Sequence, residues 1–218
     1  MQNMNINKHT LLLLGGTWHD FDGFAVAMQP IFEEAGCDLD ATYDLERLTQ
    51  LEEGCYDLVI LYTCLTEQRE DGTPSTLWPT DVQVESLVRW VQAGGGLLAT
   101  HAATVCPKVP AWCRLMGGTF IEHPPQSSFT VYPVFHKHPI TTNIEAFTVH
   151  DELYIQQPEP GVDVLAVTTD RGTAYPMVWC KADGYGRVAH IAPGHGPETW
   201  NQPLYRRLIQ QTIQWLSP

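Results

Sequence analysis

The sequence has few basic residues, which limits the classes of partner that it can bind. It also has no long apolar run, which limits its association with a membrane. It carries 12 Lys and Arg against 25 Asp and Glu, which gives a formal net charge of -13. That charge disfavours nucleic acids and anionic membranes as partners, because both are polyanions. No run of about 18 apolar residues occurs, so we expect no transmembrane helix. The apolar run Leu11–Leu14 is too short for a signal-peptide core, and we expect a cytoplasmic protein.

The cysteines lack the paired CxxC spacing of a finger-type zinc site. A disulfide framework is typical of short secreted chains and is not expected in a chain of 218 residues. We therefore expect reduced, mostly buried thiols. The six positions are Cys37, Cys55, Cys64, Cys106, Cys113 and Cys180.

Apolar runs alternate with helical patterns along the first half of the chain. Thr10–Gly15 and Tyr56–Thr63 are typical of central parallel strands, and Leu97–Thr100 predicts another. The β-α-β-α-β order predicts an α/β fold with a doubly wound, mostly parallel sheet. No internal repeat or linker is visible, so residues 1–218 are predicted to form a single domain.

The second half predicts more strands and a closing helix. Pro176–Cys180 and Arg187–Ala192 are predicted to form a hairpin, and apolar residues between Leu204 and Leu216 predict an amphipathic helix. The polar stretch Cys64–Pro79 follows a strand and is broken by Gly and Pro. It is interpreted as a mobile rim or lid.

Four imidazoles follow predicted strands or lie in the loops beyond them. The stretch Ala93–Ala103, with the sequence AGGGLLATHAA, turns through three glycines into a buried strand that ends on His101. Ligands of open α/β sheets bind beyond the carboxyl ends of the strands. His19 follows the first strand, His123 lies in a loop after His101, and His195 follows a late strand. We expect a polar site at this edge.

Two chemistries suit such a group of imidazoles. Several His with a carboxylate can bind Zn²⁺ or another divalent metal ion and leave a position open for water or substrate. Without a metal, His and Glu can act as acid and base beside the carbonyl of a keto-sugar. No compact HExxH-type motif separates the two alternatives. The predicted metal ligands are His19, His101, His123 and His195.

A nucleotide cofactor is not expected. The glycine run Gly94–Gly96 lacks the GxGxxG order, and it precedes a strand instead of following one.

Several segments, in this order, resemble the ThuA-like family, which is named for trehalose utilisation. They are GGTWHDF, GGGLLATHAA, GGTFIEHP, HPIT, HDELY and GYGRVAHIAPGH, and the resemblance runs from about Thr10 to Leu216. It implies a flavodoxin-like, three-layer α/β sandwich of the class I glutamine amidotransferase-like superfamily. It also implies a shared polar pocket built from His19, His101, His123, Glu152 and His195.

The amidotransferases of that superfamily carry a nucleophilic cysteine at the elbow after this strand. Here His101 stands at the elbow, and Cys106 lies five residues further on. Thioester chemistry on glutamine then has no nucleophile at the required place, so glutaminase activity is excluded. Cysteine hydrolase chemistry remains an alternative only if Cys106 or Cys64 faces the imidazoles.

The sequence thus predicts a carbohydrate-metabolism enzyme that acts on a sugar or keto-sugar as an isomerase or hydrolase. The predicted residues are His101, Glu152 and His195 for catalysis, and His19, His123 and Asp151 for substrate binding. The alternative is a non-catalytic sugar-binding or assembly module on the same scaffold. A homodimer is expected because it is the commonest oligomeric state.

Overall fold

The computed structural model describes residues 8–74 and 78–217. These residues include eleven strands and five α-helices. The strands are β1 (Lys8–Gly16), β2 (Cys37–Thr42), β3 (Leu58–Cys64), β4 (Gly96–Thr100), β5 (Gly118–Glu122), β6 (Ser127–Pro133), β7 (Phe147–Asp151), β8 (Ile155–Pro158), β9 (Asp163–Asp170), β10 (Thr173–Asp183) and β11 (Gly186–Ile191). The helices are α1 (Phe21–Glu34), α2 (Asp81–Gln92), α3 (Pro110–Met116), α4 (Pro197–Trp200) and α5 (Pro203–Leu216), with 3-10 helices at Leu45–Glu53 and His101–Thr104. Part of the predicted rim loop, residues 75–77, lies outside the described residues.

Nine strands form one mixed sheet in the order β2-β1-β3-β4-β11-β10-β9-β6-β7. Neighbours from β2 to β11 are parallel, and those from β11 to β7 are antiparallel. The predicted α/β class is confirmed, but the prediction of a mostly parallel sheet is wrong. Short turns join β9 to β10 and β10 to β11, and a short turn can only reverse the chain. Parallel neighbours need a crossover of a dozen or more residues.

Helices cover both faces of the parallel half of the sheet. Leu12 packs in the core that includes residues of α1 and α5, whereas Leu11 and Leu13 pack in the core that includes residues of α2 and α3. Each fully buried Leu contributes about 2 kcal/mol through the hydrophobic effect. Burial on both faces explains why these strands read as continuous apolar runs, and it leaves polar loops only at the strand ends.

None of the six cysteines is in a disulfide, and five of them are buried. Within residues 8–74 and 78–217, no helix is both long and apolar enough to span a bilayer.

Gly186, the first residue of β11, lies where the sheet approaches the end of α2 most closely. A Cβ atom there would lie 1.9 Å from the Val91 carbonyl oxygen and 2.4 Å from that of Gly95. We expect Gly186→Ala to lower the free energy of unfolding by about 2 kcal/mol or more, because the backbone must move. Chemical denaturation measures this loss.

Gly36→Ala is the matched control for that substitution. Gly36 has a φ of +82° but open space around it. Its substitution should cost only the penalty of a left-handed backbone, about 1 kcal/mol. Equal losses in the two variants would contradict the steric explanation.

Candidate functional site

Three histidines and one glutamate converge at the carboxyl edge of the parallel strands. His19 follows β1, His101 follows β4, His195 follows β11, and Glu152 follows β7. One ligand atom from each lies within 4.8 Å of those from the other three. We call these four residues the quartet. The loops beyond neighbouring parallel strands meet at one edge of the sheet, which brings three of the four together.

His101 occupies a strained turn between β4 and the following 3-10 helix. Its φ of +48° is in the left-handed region, which costs a non-glycine residue about 1–3 kcal/mol. The side chain is fully buried, and its Nδ1 donates to the Ala192 carbonyl oxygen at 2.7 Å. The Nε2 atom then remains free to face the quartet. Gly194 has to be a glycine here, because a Cβ would lie 3.2 Å from the His101 Cβ and its φ is +149°.

His19 has the same arrangement as His101, with its Nδ1 hydrogen-bonded and its Nε2 free to face the quartet. Its Nδ1 donates to the Thr17 carbonyl oxygen at 2.9 Å, and its buried Nε2 has no hydrogen-bond partner among the described residues. Burial first, and the neighbouring His101 second, lower the pKa of His19 to about 3. The ring is therefore neutral near pH 7, with a lone pair available for a metal ion or a proton.

Glu152 and His195 form the charged pair of the quartet. The Glu152 Oε2 lies 3.1 Å from His195 Nδ1 and 3.5 Å from His101 Nε2. Burial works to raise the pKa of Glu152, but its interactions with the two imidazoles outweigh burial and hold the pKa well below its usual value. Glu152 in turn raises the pKa of His195. A proton shared by the two groups is therefore held more strongly by His195 than by Glu152.

Asp151, predicted to bind substrate, is fully buried behind the quartet. Its carboxylate accepts hydrogen bonds from the N–H groups of Glu152 at 2.7 Å, Gly194 at 2.8 Å and His195 at 3.1 Å, and from the Thr199 hydroxyl. These contacts are those of a residue that positions the Glu152 and His195 segments. Its role towards substrate stays a prediction.

His123 lies at the rim of the quartet. Its Nε2 is 3.8 Å from Glu152 Oε1, and its ring stacks on Tyr154 with the centroids 5.4 Å apart. Three of the four predicted metal ligands are therefore brought together, and Glu152 completes the group instead of His123. Sequence reasoning missed Tyr154, whose ring also packs on His101 at 4.4 Å. The HDELY segment contained it two residues after Glu152.

A cleft of about 210 Å³ opens onto these residues. Its lining includes Trp18, His19, Phe120, His123, Glu152 and Tyr154. Polar groups at one part of a mostly apolar concavity are typical of small-molecule sites. The cleft therefore reaches the quartet through two of its members, His19 and Glu152.

The two thiols considered as nucleophiles are both protonated. Cys64 lines the cleft and Cys106 is buried. Burial raises the pKa of each thiol to about 12. Because the thiolate is the reactive form, this environment does not support cysteine hydrolase chemistry.

The chain matches one protein family over almost its whole length. The family model described as "ThuA: Trehalose utilisation" covers residues 12–216. No curated protein sequence matches the chain.

Solved structures share the fold at low sequence identity. A ThuA-like protein from Parabacteroides merdae has a TM-score of 0.77 at 19% identity, over 96% of this chain and 90% of its own. One from Bacteroides uniformis has a TM-score of 0.73 at 20% identity, over 96% and 91%. A β-galactosidase from Rahnella sp. R3 has a TM-score of 0.66 at 16% identity, over 97% of this chain but 31% of its own. At such identities the likeness shows the fold alone.

Replacing Asp151 by asparagine should destabilise both the fold and the segments that carry Glu152 and His195. The asparagine side chain would keep one acceptor oxygen but turn an amide N–H₂ group towards backbone donors. We expect Asp151→Asn to lower the free energy of unfolding by about 2–3 kcal/mol, since hydrogen bonds to a buried charge are lost. Urea denaturation checks this against Asp38→Asn, an exposed carboxylate on β2, which should change stability by less than about 0.5 kcal/mol.

His190 on β11 is a core histidine outside the quartet, as its alternation within a strand predicts. It is fully buried, packs on Trp179 with ring centroids 4.2 Å apart, and accepts a hydrogen bond from the Gln156 amide at 3.2 Å. Burial, and then His101, lower its pKa to about 3.

Acid should destabilise the protein through His190. Its unfolded pKa is about 6.5, so below that pH the unfolded chain binds a proton that the folded chain does not. We expect this contribution to stability to fall by about 2 kcal/mol from pH 6.5 to pH 5. Urea denaturation at the two pH values should show that the free energy of unfolding of the His190→Gln variant falls by less than that of the wild-type protein, because the variant lacks this contribution. An equal loss in both proteins would refute the assignment.

Proposed function

The chain belongs to the ThuA family, named for trehalose utilisation, and we propose that it is a carbohydrate-metabolism enzyme acting on a sugar or keto-sugar. The reaction that we propose is an isomerisation or hydrolysis assisted by a divalent metal ion. One observation carries the proposal, namely that the ligand atoms of the quartet lie within 4.8 Å of one another beside the cleft.

The donor set fits a divalent ion such as Zn²⁺. Nitrogen and oxygen ligands bind Zn²⁺ at about 2.0–2.2 Å, so two ligands of one ion are about 3–4 Å apart. The spread of 4.8 Å then needs side-chain shifts below about 1 Å. Backbone carbonyls accept from the Nδ1 atoms of His19 and His101, which is the usual orientation of metal-ligating imidazoles. Their buried Nε2 atoms, without a hydrogen-bond partner among the described residues, need the compensation that an ion provides.

An ion bound here would polarise a carbonyl oxygen or activate a water molecule. The chain's own groups then orient the substrate and move protons. His19 stays neutral and keeps its lone pair directed inward. In the metal-free protein, Glu152 Oε2 and His195 Nδ1 would share a proton across 3.1 Å, and binding of an ion by these groups would release it. His123, outside the quartet but facing Glu152, is placed to bind a substrate oxygen or to exchange a proton with it.

The shifted pKa values favour an enzyme over the non-catalytic binding module. Burial lowers the pKa of His19, contacts with the imidazoles lower that of Glu152, and Glu152 raises that of His195, and such clusters are characteristic of sites that perform chemistry. Acid–base chemistry without a metal remains the second candidate. The same Glu152–His195 pair supports it, since its two groups could remove and return a proton beside a carbonyl.

The finer fold class is also part of this proposal. Helices on both faces of the parallel half are consistent with a flavodoxin-like sandwich related to class I glutamine amidotransferases, with the antiparallel strands as an extension. The strained turn of His101 corresponds to the elbow of those enzymes. A cytoplasmic location and a homodimer stay predictions.

Metal content and activity test the proposal. Protein purified without a His-tag or added metal should contain about one equivalent of a divalent ion by elemental analysis. His101→Ala should reduce metal affinity and lower turnover of a sugar or keto-sugar, each by about 100-fold, because a ligand is lost. A chelator should do the same to the wild-type protein.

The exposed His136 supplies the matched control. His136→Ala should keep both the metal content and the turnover. A metal-free wild-type protein with full activity would eliminate the metal. A folded His101→Ala variant with unchanged turnover would eliminate the role of that residue.

A further inference from the structure

Trp18 differs from the buried tryptophans in both its backbone and its exposure. Its φ is +71°, and 48% of its surface is exposed. Trp112, Trp179 and Trp200 are instead fully buried, and each indole N–H donates to a backbone carbonyl. A left-handed backbone is unfavourable for tryptophan, and an exposed indole adds little to the core. Packing therefore does not account for this conformation.

Contacts with the rim loop hold the backbone around Trp18. The Thr17 hydroxyl lies 2.8 Å from the Thr66 hydroxyl, and the Trp18 N–H donates to the Glu70 carboxylate at 3.2 Å. The left-handed turn directs the neighbouring side chains of Trp18 and His19 to different places. His19 enters the quartet, while Trp18 lines the cleft outside it.

The cleft has an apolar part and a polar part, and a sugar ring also has both kinds of surface. Trp18, Val105 and Phe120 are apolar parts of its lining, and His19 and Glu152 are polar parts. A pyranose has C–H bonds of partial positive charge on its faces and hydroxyl groups at its edge. The face of an aromatic ring carries partial negative charge and attracts such C–H bonds.

We infer that Trp18 is the sugar-stacking platform of the cleft, on which a C–H face of the ligand ring packs while its hydroxyl edge reaches His19 and Glu152. This inference rests on the proposed function and adds a basis for specificity. A ring with an uninterrupted C–H face should bind better than a polyol without a ring. Glucose and its linear counterpart sorbitol are a matched pair of probes, since both carry a run of hydroxyl groups.

Isothermal titration calorimetry of the protein as purified tests the platform, with glucose, trehalose and sorbitol as probes. We expect wild-type protein to bind glucose or trehalose better than sorbitol. Trp18→Ala should raise the Kd for that sugar at least tenfold, and Trp18→Phe should stay within about threefold because an aromatic face remains. The weak binding of sorbitol should not change.

Two controls separate stacking from a structural role. Trp18→Gly relieves the left-handed backbone, so its Tm should equal or exceed that of the wild-type protein while sugar binding is lost. Metal content should be unchanged in all Trp18 variants, since His19 keeps its place. Trp215→Phe, which alters a partly buried tryptophan of α5 that packs against Arg187, should bind sugar like the wild-type protein.

The outcomes distinguish this inference from the proposed function. Unchanged sugar binding by Trp18→Ala overturns the platform and leaves the proposed function standing. Loss of binding only together with a large fall in Tm or in metal content assigns Trp18 a structural role and also overturns the platform. Absence of binding by the wild-type protein to glucose, trehalose and a panel of keto-sugars overturns the proposed function, and the platform with it.

Discussion

The site depends on the buried carboxylate of Asp151. Its oxygens accept hydrogen bonds from the N–H groups of Glu152, Gly194 and His195. One side chain thereby holds the backbone of both the carboxylate of the quartet and one of its imidazoles. A buried charge without hydrogen bonds is strongly unfavourable, so these segments have one favourable arrangement around it. These contacts hold the backbones of Glu152 and His195, whose Oε2 and Nδ1 atoms lie 3.1 Å apart.

The backbone at His101 has a demanding shape, and the side chain that it carries is an imidazole. His101 has a left-handed φ, and Gly194 beside it has a φ of +149°, at which any side chain would be strained. The thiols near the site are protonated because they are buried. What the turn holds in position is an imidazole nitrogen, which suits a metal ion or a proton better than acyl transfer.

The sequence predicts the parallel half of the fold and the convergence of the site, but it does not predict the antiparallel half. β1, β3 and β4 are covered on both faces, so they leave continuous apolar runs, and their carboxyl ends share an edge. The pairing of β6 with β9 depends on long-range contacts that no local pattern encodes. The rim position of His123 and the inward direction of Asp151 depend on loop geometry. Neither His101 nor Trp18 is a glycine, so their left-handed backbones leave no signal in the sequence.

The mixed sheet has a consequence for the order in which the quartet assembles during synthesis. Three histidines of the quartet follow strands of the parallel half, but Glu152 comes from β7 at the far edge of the sheet. The backbone that Asp151 holds includes Gly194 and His195, which lie 43 and 44 residues further along the chain. Contacts of such long range form late in folding. The growing chain therefore lacks a complete quartet until its antiparallel half is in place.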